Sequence, residues 1–445
     1  MANLPAKARL IEAEAFAALL EPLLAETKLR HLSIGVAVSG GPDSMALLWL
    51  ANRWARMAGA KLFAYSVNHD LRAAAQGELE VVAQYCRSIG LLHRALTWEG
   101  EKPATGLQAA ARQARYDLLT QACRADQIDH LLLAHHLEDQ AETLLMRIEK
   151  DSGPDGLAGM SSVSERDSIK LLRPLLSISK AKLLAIVEAN SLPHFIDPSN
   201  SDPRFLRAGL RDLAEPLARS GVTAERLGRL AESMGRARAA MDKHCRNWLN
   251  QNAEVSPLGY VRLSLQDWRE SRPVFRERLL SQLLSLVGGA EWPVRSARLQ
   301  RLCDWLLTAN VGEKRTLGGC ELTNEGTRLL ITREPEVIRE QLILQPKAIL
   351  RWDRRFTLRN LGNQPVRISA NGERLRRRAK LLAASTFEPH FNPGAIPKSA
   401  LFSLPAVTHL DGRVSVPHFV ASEAETFACH GAEVTARFLT LASGQ

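Results

Sequence analysis

The chain has 445 residues, 45% hydrophobic and 24% charged, a balance that excludes a disordered or fibrous polypeptide and supplies material for real hydrophobic cores. Its net charge of +10 favours a polyanionic partner, nucleic acid first, with a basic surface used only for solubility as the alternative. Six scattered cysteines (Cys86, Cys123, Cys245, Cys303, Cys320, Cys429) form no C-x-x-C pair, and no apolar run is long enough to span a membrane, so we expect reduced thiols, no zinc site, no membrane partner and a cytoplasmic location.

Residues 1–20 mix acids into an apolar stretch, as in an amphipathic helix and unlike a signal peptide. Ile34–Val38 is a short, β-branched strand. The turn Ser39-Gly40-Gly41-Pro42-Asp43-Ser44 follows, and then a helix that Gly59 ends. Lys61–Val67 predicts a second strand, Gln76–Gly90 a helix, and Leu92–Trp98 a third strand. Leu107–Gln127 predicts a helix, His130–Ala134 a fourth strand, and His135–Lys150 another helix. Ile169–Leu176 predicts a fifth strand and Ser179–Ser191 its helix. Strands alternating with helices imply a doubly wound, parallel α/β sheet. Ligands bind such sheets at the carboxyl ends of the strands, where strand order reverses. With the first and fourth strands adjacent there, the glycine turn and the His135–Lys150 helix face one crevice.

Beyond Leu213 the pattern turns helical and arginine-rich up to Gln251. Further helices are expected over Ser271–Gly289 and Ser296–Asn310, then a pair of strands within Gly312–Pro335. From Val337 strands and short helices mix with prolines and the basic run Arg374–Lys380, which is either a solvated face or a contact to a phosphate backbone. Three domains are expected: α/β over 1–215, mostly helical over 216–337, and small mixed α/β over 338–445.

The turn lacks the lysine of G-x-x-x-x-G-K-[ST]. Gly40 and Gly41 still let backbone N–H groups turn toward an anion, and the helix N-terminus adds partial positive charge. Ser39 and Ser44 offer hydroxyl donors. Asp43 would repel bare phosphate and so implies a bridging Mg²⁺. The plainer reading is a helix N-cap at Pro42-Asp43-Ser44. Asp139 and Glu142, three residues apart, share a helix face. They suit a cationic ligand, or are solvated acids near a helix N-terminus. His135 and His136 are metal ligands or histidines satisfied by hydrogen bonds. Arg112 and Arg115 suit phosphate, or form surface ion pairs. Asn200 reads as a turn residue.

The strand followed by "SGGPDS" resembles the PP-loop of the ATP pyrophosphatases, which cleave ATP between the α and β phosphates. That resemblance implies a loop holding the departing pyrophosphate, and it accounts for the missing lysine. "SVNHDLR" (66–72), "TGLQAAARQARY" (105–116), "LLLAHHLEDQAETLLMR" (131–147), "DSGPDGLAGM" (151–160), "RPLL" (173–176) and "DPSNSDPRFLRAGLR" (197–211) follow in this order. Together they resemble the tRNA(Ile)-lysidine synthase family from about Val36 to Arg211; beyond that only the layout and "WDRRF" carry the likeness. The resemblance implies an ATP- and Mg²⁺-dependent ligase. It joins L-lysine to C2 of the wobble cytidine in the CAU anticodon of an isoleucine tRNA through an adenylated intermediate. It further implies pyrophosphate contacts from Ser39 to Ser44, a nucleotide or Mg²⁺ contact at His135, and lysine binding by Asp139 and Glu142. Arg207 falls where an arginine orients lysine and the base, and the last two domains would bind tRNA. Glu138, where the family commonly has Asp, departs from the pattern, as do Asp70, Lys150-Asp151 and Ala208. Two other functions are open. One is a PP-loop tRNA thiolase, against which the unclustered cysteines argue, with Cys123 the plausible thiol. The other is a nucleotide-regulated RNA-binding protein without chemistry.

Overall fold

The computed structural model describes residues 13–24, 27, 29, 32–68, 75–100, 102–103, 105–195, 213–289, 294–370, 396–410, 414–416, 427–428 and 434–438. Asp70, Asn200, Arg207, Ala208, Arg374–Lys380 and Cys429 lie outside them. The chain divides into two compact units, Met1–Ala239 and Ala240–Gln445.

The first unit is built on six strands: β1 (Ser33–Ala37), β2 (Lys61–Asn68), β3 (Leu92–Thr97), β4 (His130–Leu132), β5 (Val163–Arg166) and β6 (Ile169–Leu172). Their order is β3-β2-β1-β4-β6-β5. All neighbours are parallel except β5 and β6. The helices are α1 (Ala13–Leu24), α2 (Pro42–Ala58), α3 (Ala75–Ser88), α4 (Leu107–Ala125), α5 (Leu137–Glu149), α6 (Pro154–Leu157) and α7 (Lys180–Ala189). After the first six strands' region come α8 (Ala214–Arg219) and α9 (Ala224–Asn252).

Alternation along each strand sends successive side chains to opposite faces. Ile34, Val36, Leu62, Ala64, Leu132 and Leu172 join one core with Phe16 and Leu20 of α1, Leu47 and Trp54 of α2, and Leu183 and Ile186 of α7. Ala37, Tyr65, Leu131, Leu133 and Leu171 join a second core with Tyr116, Leu119 and Cys123 of α4. The sheet is therefore doubly wound, as its sequence pattern predicts. Strand order reverses between β1 and β4, which pair through Gly35 with Leu131 and Val36 with Leu132. The loops after β1 and β4 thus open on one crevice. Gly35 is tightly packed there: a Cβ would lie 3.0 Å from the Tyr65 ring and 3.1 Å from Leu131, so both side chains would have to shift by a few tenths of an ångström.

The fifth predicted strand is shorter than expected and is half of a hairpin. The turn between β5 and β6 places Asp167 at φ 50° and Ser168 at φ 67°. Two positive φ values suit a tight hairpin turn. The usual Asn-Gly or Asp-Gly signal is absent, so β5 was not legible.

The second unit adds β7 (Ala253–Ser256), β8 (Tyr260–Ser264), α10 (Leu265–Glu270), α11 (Pro273–Gly288), α12 (Ser296–Thr308), β9 (Lys314–Leu317), β10 (Cys320–Asn324) and β11 (Arg328–Arg333). The expected helices form. The same stretch also carries a five-stranded antiparallel sheet, β7-β8-β11-β10-β9, where the sequence predicted two strands. Val261, Leu263, Leu322, Leu329 and Ile331 pack that sheet against Leu280, Leu283 and Leu306 of α11 and α12. After Pro335 come β12 (Leu342–Leu344), β13 (Ile349–Trp352), β14 (Phe356–Asn360), β15 (Val366–Ala370), α13 (Lys398–Phe402), β16 (Pro405–Thr408), β17 (Val414–Ser415), β18 (Phe427–Ala428) and β19 (Val434–Phe438). They form two four-stranded sheets around a core that includes Trp352, Phe356, Ile368 and Phe438. The "WDRRF" turn carries a buried ion triad. Both Asp353 oxygens accept from Arg333, at 2.8 and 3.0 Å, and Oδ2 also accepts from Arg355 at 2.6 Å.

Candidate active site

The crevice is built from the ends of β1 and β4. After β1 the chain passes through Ser39 and Gly40 at φ 83°, a left-handed conformation that glycine adopts without strain. Gly41 is the N-cap of α2 and Pro42 begins the helix, so the Pro42-Asp43-Ser44 N-cap of the plainer reading is not what forms. Asp43 and Ser44 lie inside the first turn. The Ser44 hydroxyl donates to the Gly41 carbonyl at 2.9 Å and accepts from the Ser39 N–H at 3.2 Å, closing the loop on itself. Gly41 supplies no side chain to cap the helix. The N–H groups of the first turn therefore have no side-chain cap, an arrangement that favours an anion. The chain at Phe195 is tied to this loop by its N–H, which donates to the Gly40 carbonyl at 2.9 Å.

At the end of β4, His136 is the N-cap of α5, and its N–H donates to Asp139 Oδ2 at 3.1 Å. The buried His136 ring joins three carboxylates. Its Nε2 lies 3.6 Å from both Asp43 Oδ2 and Asp139 Oδ2, and its Nδ1 lies 3.0 Å from Glu138 Oε2. Burial alone would lower the imidazole pKa. The paired carboxylates of Asp43 and Glu138, with the charge of Asp139, outweigh it and push it up to about 10. Burial works against ionisation of Glu138 too, yet His136 and the Lys180 N–H hold that carboxyl below the usual glutamate range.

His136 thus brings together Asp43 of the loop and Asp139 of α5, two residues the sequence had assigned to different ligands. Glu142 is buried one turn further along the same helix. His135, half-buried, ends the connection from β4. The histidine that touches Asp43 is its neighbour, which the sequence weighed only as half of a pair. The spacing of His136, Glu138 and Asp139 across a helix start marks the local acid–histidine cluster but not its contact with Asp43.

Arg112 and Arg115 fall in a different cluster, on α4. Arg112 stacks on the Tyr116 ring at 5.3 Å and donates to its hydroxyl at 3.4 Å. Burial lowers the pKa of Arg115 from the usual arginine value. Arg166 stacks on the same ring at 5.3 Å. Arg173, buried at the end of β6, donates to the Ser161 carbonyl and the Ser164 hydroxyl, both at 2.9 Å. The sequence reading did not single out Arg173 as a site residue. This cluster is cationic and suits phosphate.

A metal fits beside Asp43. Its Oδ1 is buried and has no hydrogen-bond partner, while Oδ2 is engaged by His136. Among the described residues no group of three or more His, Cys, Asp or Glu is arranged to hold a metal. Mg²⁺ commonly takes one or two carboxylates and completes its shell with water and substrate phosphate, so Asp43 beside a phosphate loop is sufficient. The Cys123 thiol is buried and pushed up to about 12, chiefly by burial, so it lacks the thiolate character a thiolase would need.

A phosphate loop at a sheet's switch point, with an acid-bearing helix opposite, defines a nucleotide-binding PP-loop protein, and a family model described as a PP-loop domain matches residues 12–217. A tRNA(Ile)-lysidine synthase of Rhodopseudomonas palustris is 39% identical over 68% of this chain and 91% of its own length. One from a Bradyrhizobium strain is 49% identical over 46% of this chain and 58% of its own. The chain belongs to the tRNA(Ile)-lysidine synthase family. Among solved structures, a U34-tRNA thiolase of Methanococcus maripaludis with its [4Fe-4S] cluster aligns at 17% identity and a TM-score of 0.43, over 50% of this chain and 79% of that one.

Proposed function

We propose that the protein is an ATP-dependent carbon–nitrogen ligase that joins L-lysine to C2 of the wobble cytidine in the CAU anticodon of an isoleucine tRNA. The observation that carries this reading is the contact of His136 with both Asp43 and Asp139, which sets a phosphate loop against an acidic helix at one switch point. The cytidine C2 carbonyl oxygen attacks the α-phosphate of ATP, forming an O–P bond as pyrophosphate leaves. The lysine amine then attacks C2, and AMP departs with the former carbonyl oxygen. Backbone N–H groups of the Gly40-Gly41 turn and the Ser39 and Ser44 hydroxyls bind the leaving pyrophosphate. Mg²⁺ held by Asp43 would neutralise charge on it when bound. Asp139 and Glu142 bind the ammonium groups of lysine, and one of them takes the proton that the attacking amine must lose. Arg112 and Arg115 take ATP or tRNA phosphate. Arg207 orients lysine and base, and His135 contacts the nucleotide. Segments 216–337 and 338–445 act as tRNA-binding domains. The reaction is cytoplasmic, where tRNA and ATP are available; no helix among the described residues is long and apolar enough to cross a membrane.

Incubation of the protein with ATP, Mg²⁺, radiolabelled lysine and an isoleucine tRNA transcript bearing CAU tests this. Label in acid-precipitable RNA is expected. Its absence, with ATP still bound, would favour the RNA-binding protein without chemistry.

A further inference from the structure

Glu138 occupies a position no step of the proposed chemistry uses. Its Oε2 lies 3.0 Å from His136 Nδ1 and also accepts the Lys180 N–H at 2.9 Å. Lys180 is the first residue of α7, whose N-cap, Ser179, makes no side-chain cap hydrogen bond. One carboxylate oxygen therefore caps α7 and holds the His136 ring at once. The backbone supports the same junction, because the Leu137 N–H donates to the Ile178 carbonyl at 2.9 Å. With Nδ1 fixed in this way, the opposite edge of the ring can only present Nε2 to Asp43 and Asp139. Reach matters. Aspartate is one methylene shorter, so from the same backbone position its carboxylate reaches less far toward the ring and the α7 terminus.

We propose that Glu138 is a positioning residue: by locking His136 to the start of α7 it sets the spacing between Asp43, on the nucleotide side, and Asp139, on the lysine side. This rests on the reading of those two carboxylates given above. Loosening the lock lets Asp43 and Asp139 move independently, so nucleotide and lysine binding weaken together although Glu138 touches neither ligand.

The test is a double-mutant cycle on the full chain with Glu138→Ala, His136→Ala and the pair. It reads the Kd for ATP without tRNA, the KM for lysine, kcat, and the melting temperature. Each single variant is expected to weaken ATP and lysine by about tenfold, and the double variant no further than His136→Ala alone. Glu138→Asp is expected to fall between wild type and Glu138→Ala, since its shorter reach weakens the contacts to the ring and to α7. Binding constants at wild-type values with only kcat or the melting temperature lowered would reduce Glu138 to a structural cap and overturn the proposal. So would effects of the two single variants that multiply in the double. Wild-type labelling of tRNA with lysine tests the underlying reading separately, so a silent cycle on an active enzyme counts against the positioning role alone.

Discussion

Asp43 sits within the first turn of α2 with one oxygen on His136 and the other buried without a partner. An uncompensated buried acceptor is costly unless a ligand completes it. Asp43→Asn preserves shape and removes the charge. It is expected to lower kcat/KM for ATP by about a hundredfold, equivalent to roughly 3 kcal/mol of transition-state stabilisation. Circular dichroism should report an intact fold. Removing Mg²⁺ with EDTA should abolish wild-type activity and cost the variant far less; an equal loss in both would place the metal elsewhere. Several residues that line the crevice were legible beforehand. The glycine turn and the Asp139–Glu142 spacing are local patterns, and a local pattern reveals which residues share a turn or a helix face. The contact between His136 and Asp43 joins residues far apart in the chain through β1–β4 pairing, and no local spacing encodes that. For the same reason Arg112 and Arg115 turn out to share a cluster with Arg166 and Arg173 around Tyr116.

At the scale of elements, a side chain of α5 clasps the segment that follows the helix. Gln140 accepts the Met160 N–H at 2.7 Å and donates to the Met160 carbonyl at 3.0 Å, as a neighbouring strand would. Gly159 makes room: it has φ 61°, and a Cβ there would lie 2.6 Å from the Gln140 carbonyl oxygen. Gly159→Ala imposes about 1–2 kcal/mol of left-handed strain. It also breaks two hydrogen bonds worth about 1 kcal/mol each. A loss of roughly 2–4 kcal/mol in urea unfolding is expected, and a change below about 0.5 kcal/mol would mean the clasp opens freely. Strand β4 sets a different limit. Its buried His130 has no hydrogen-bond partner on either ring nitrogen, and burial, then Lys170, lower its pKa below the ordinary histidine value. The folded state refuses a proton that the unfolded chain accepts. The stability this contributes is present above the unfolded pKa of about 6.5 and is lost as pH falls toward the lowered value. His130→Gln should flatten that decline between about pH 7 and 5 in thermal melts; an unchanged slope would assign acid sensitivity to other groups. The parallel strands of the first unit and the helices between them were readable because each carries its own periodicity. The antiparallel strands β5, β7 and β8 were not, since they are short, their turns lack the common dipeptides, and helix-rich sequence surrounds them.

For the molecule as a whole, a net charge of +10 matters most where it meets a polyanion. Binding to tRNA releases condensed counterions, so its affinity falls as a power of salt concentration, by roughly 0.7–0.9 in the log–log slope per phosphate contacted. ATP binding in a closed phosphate loop lacks that steep dependence. With about six phosphate contacts, raising salt from 50 to 200 mM should weaken tRNA binding by roughly a thousandfold and move the KM for ATP far less. The second unit offers a place to localise part of the effect. A cavity of about 280 Å³ is lined by Val294, Arg295, Arg298, Leu317 and Gly318, and both arginines are exposed. If RNA passes there, Arg295→Ala with Arg298→Ala should flatten the salt slope for tRNA by roughly 1.4–1.8. ATP binding, a property of the first unit, should be untouched. Filter binding of labelled transcript across a salt series measures the slope. A slope equal to wild type would remove this cavity from the RNA path, and equal weakening of tRNA and ATP would show that the substitutions act on the fold and not on the contact.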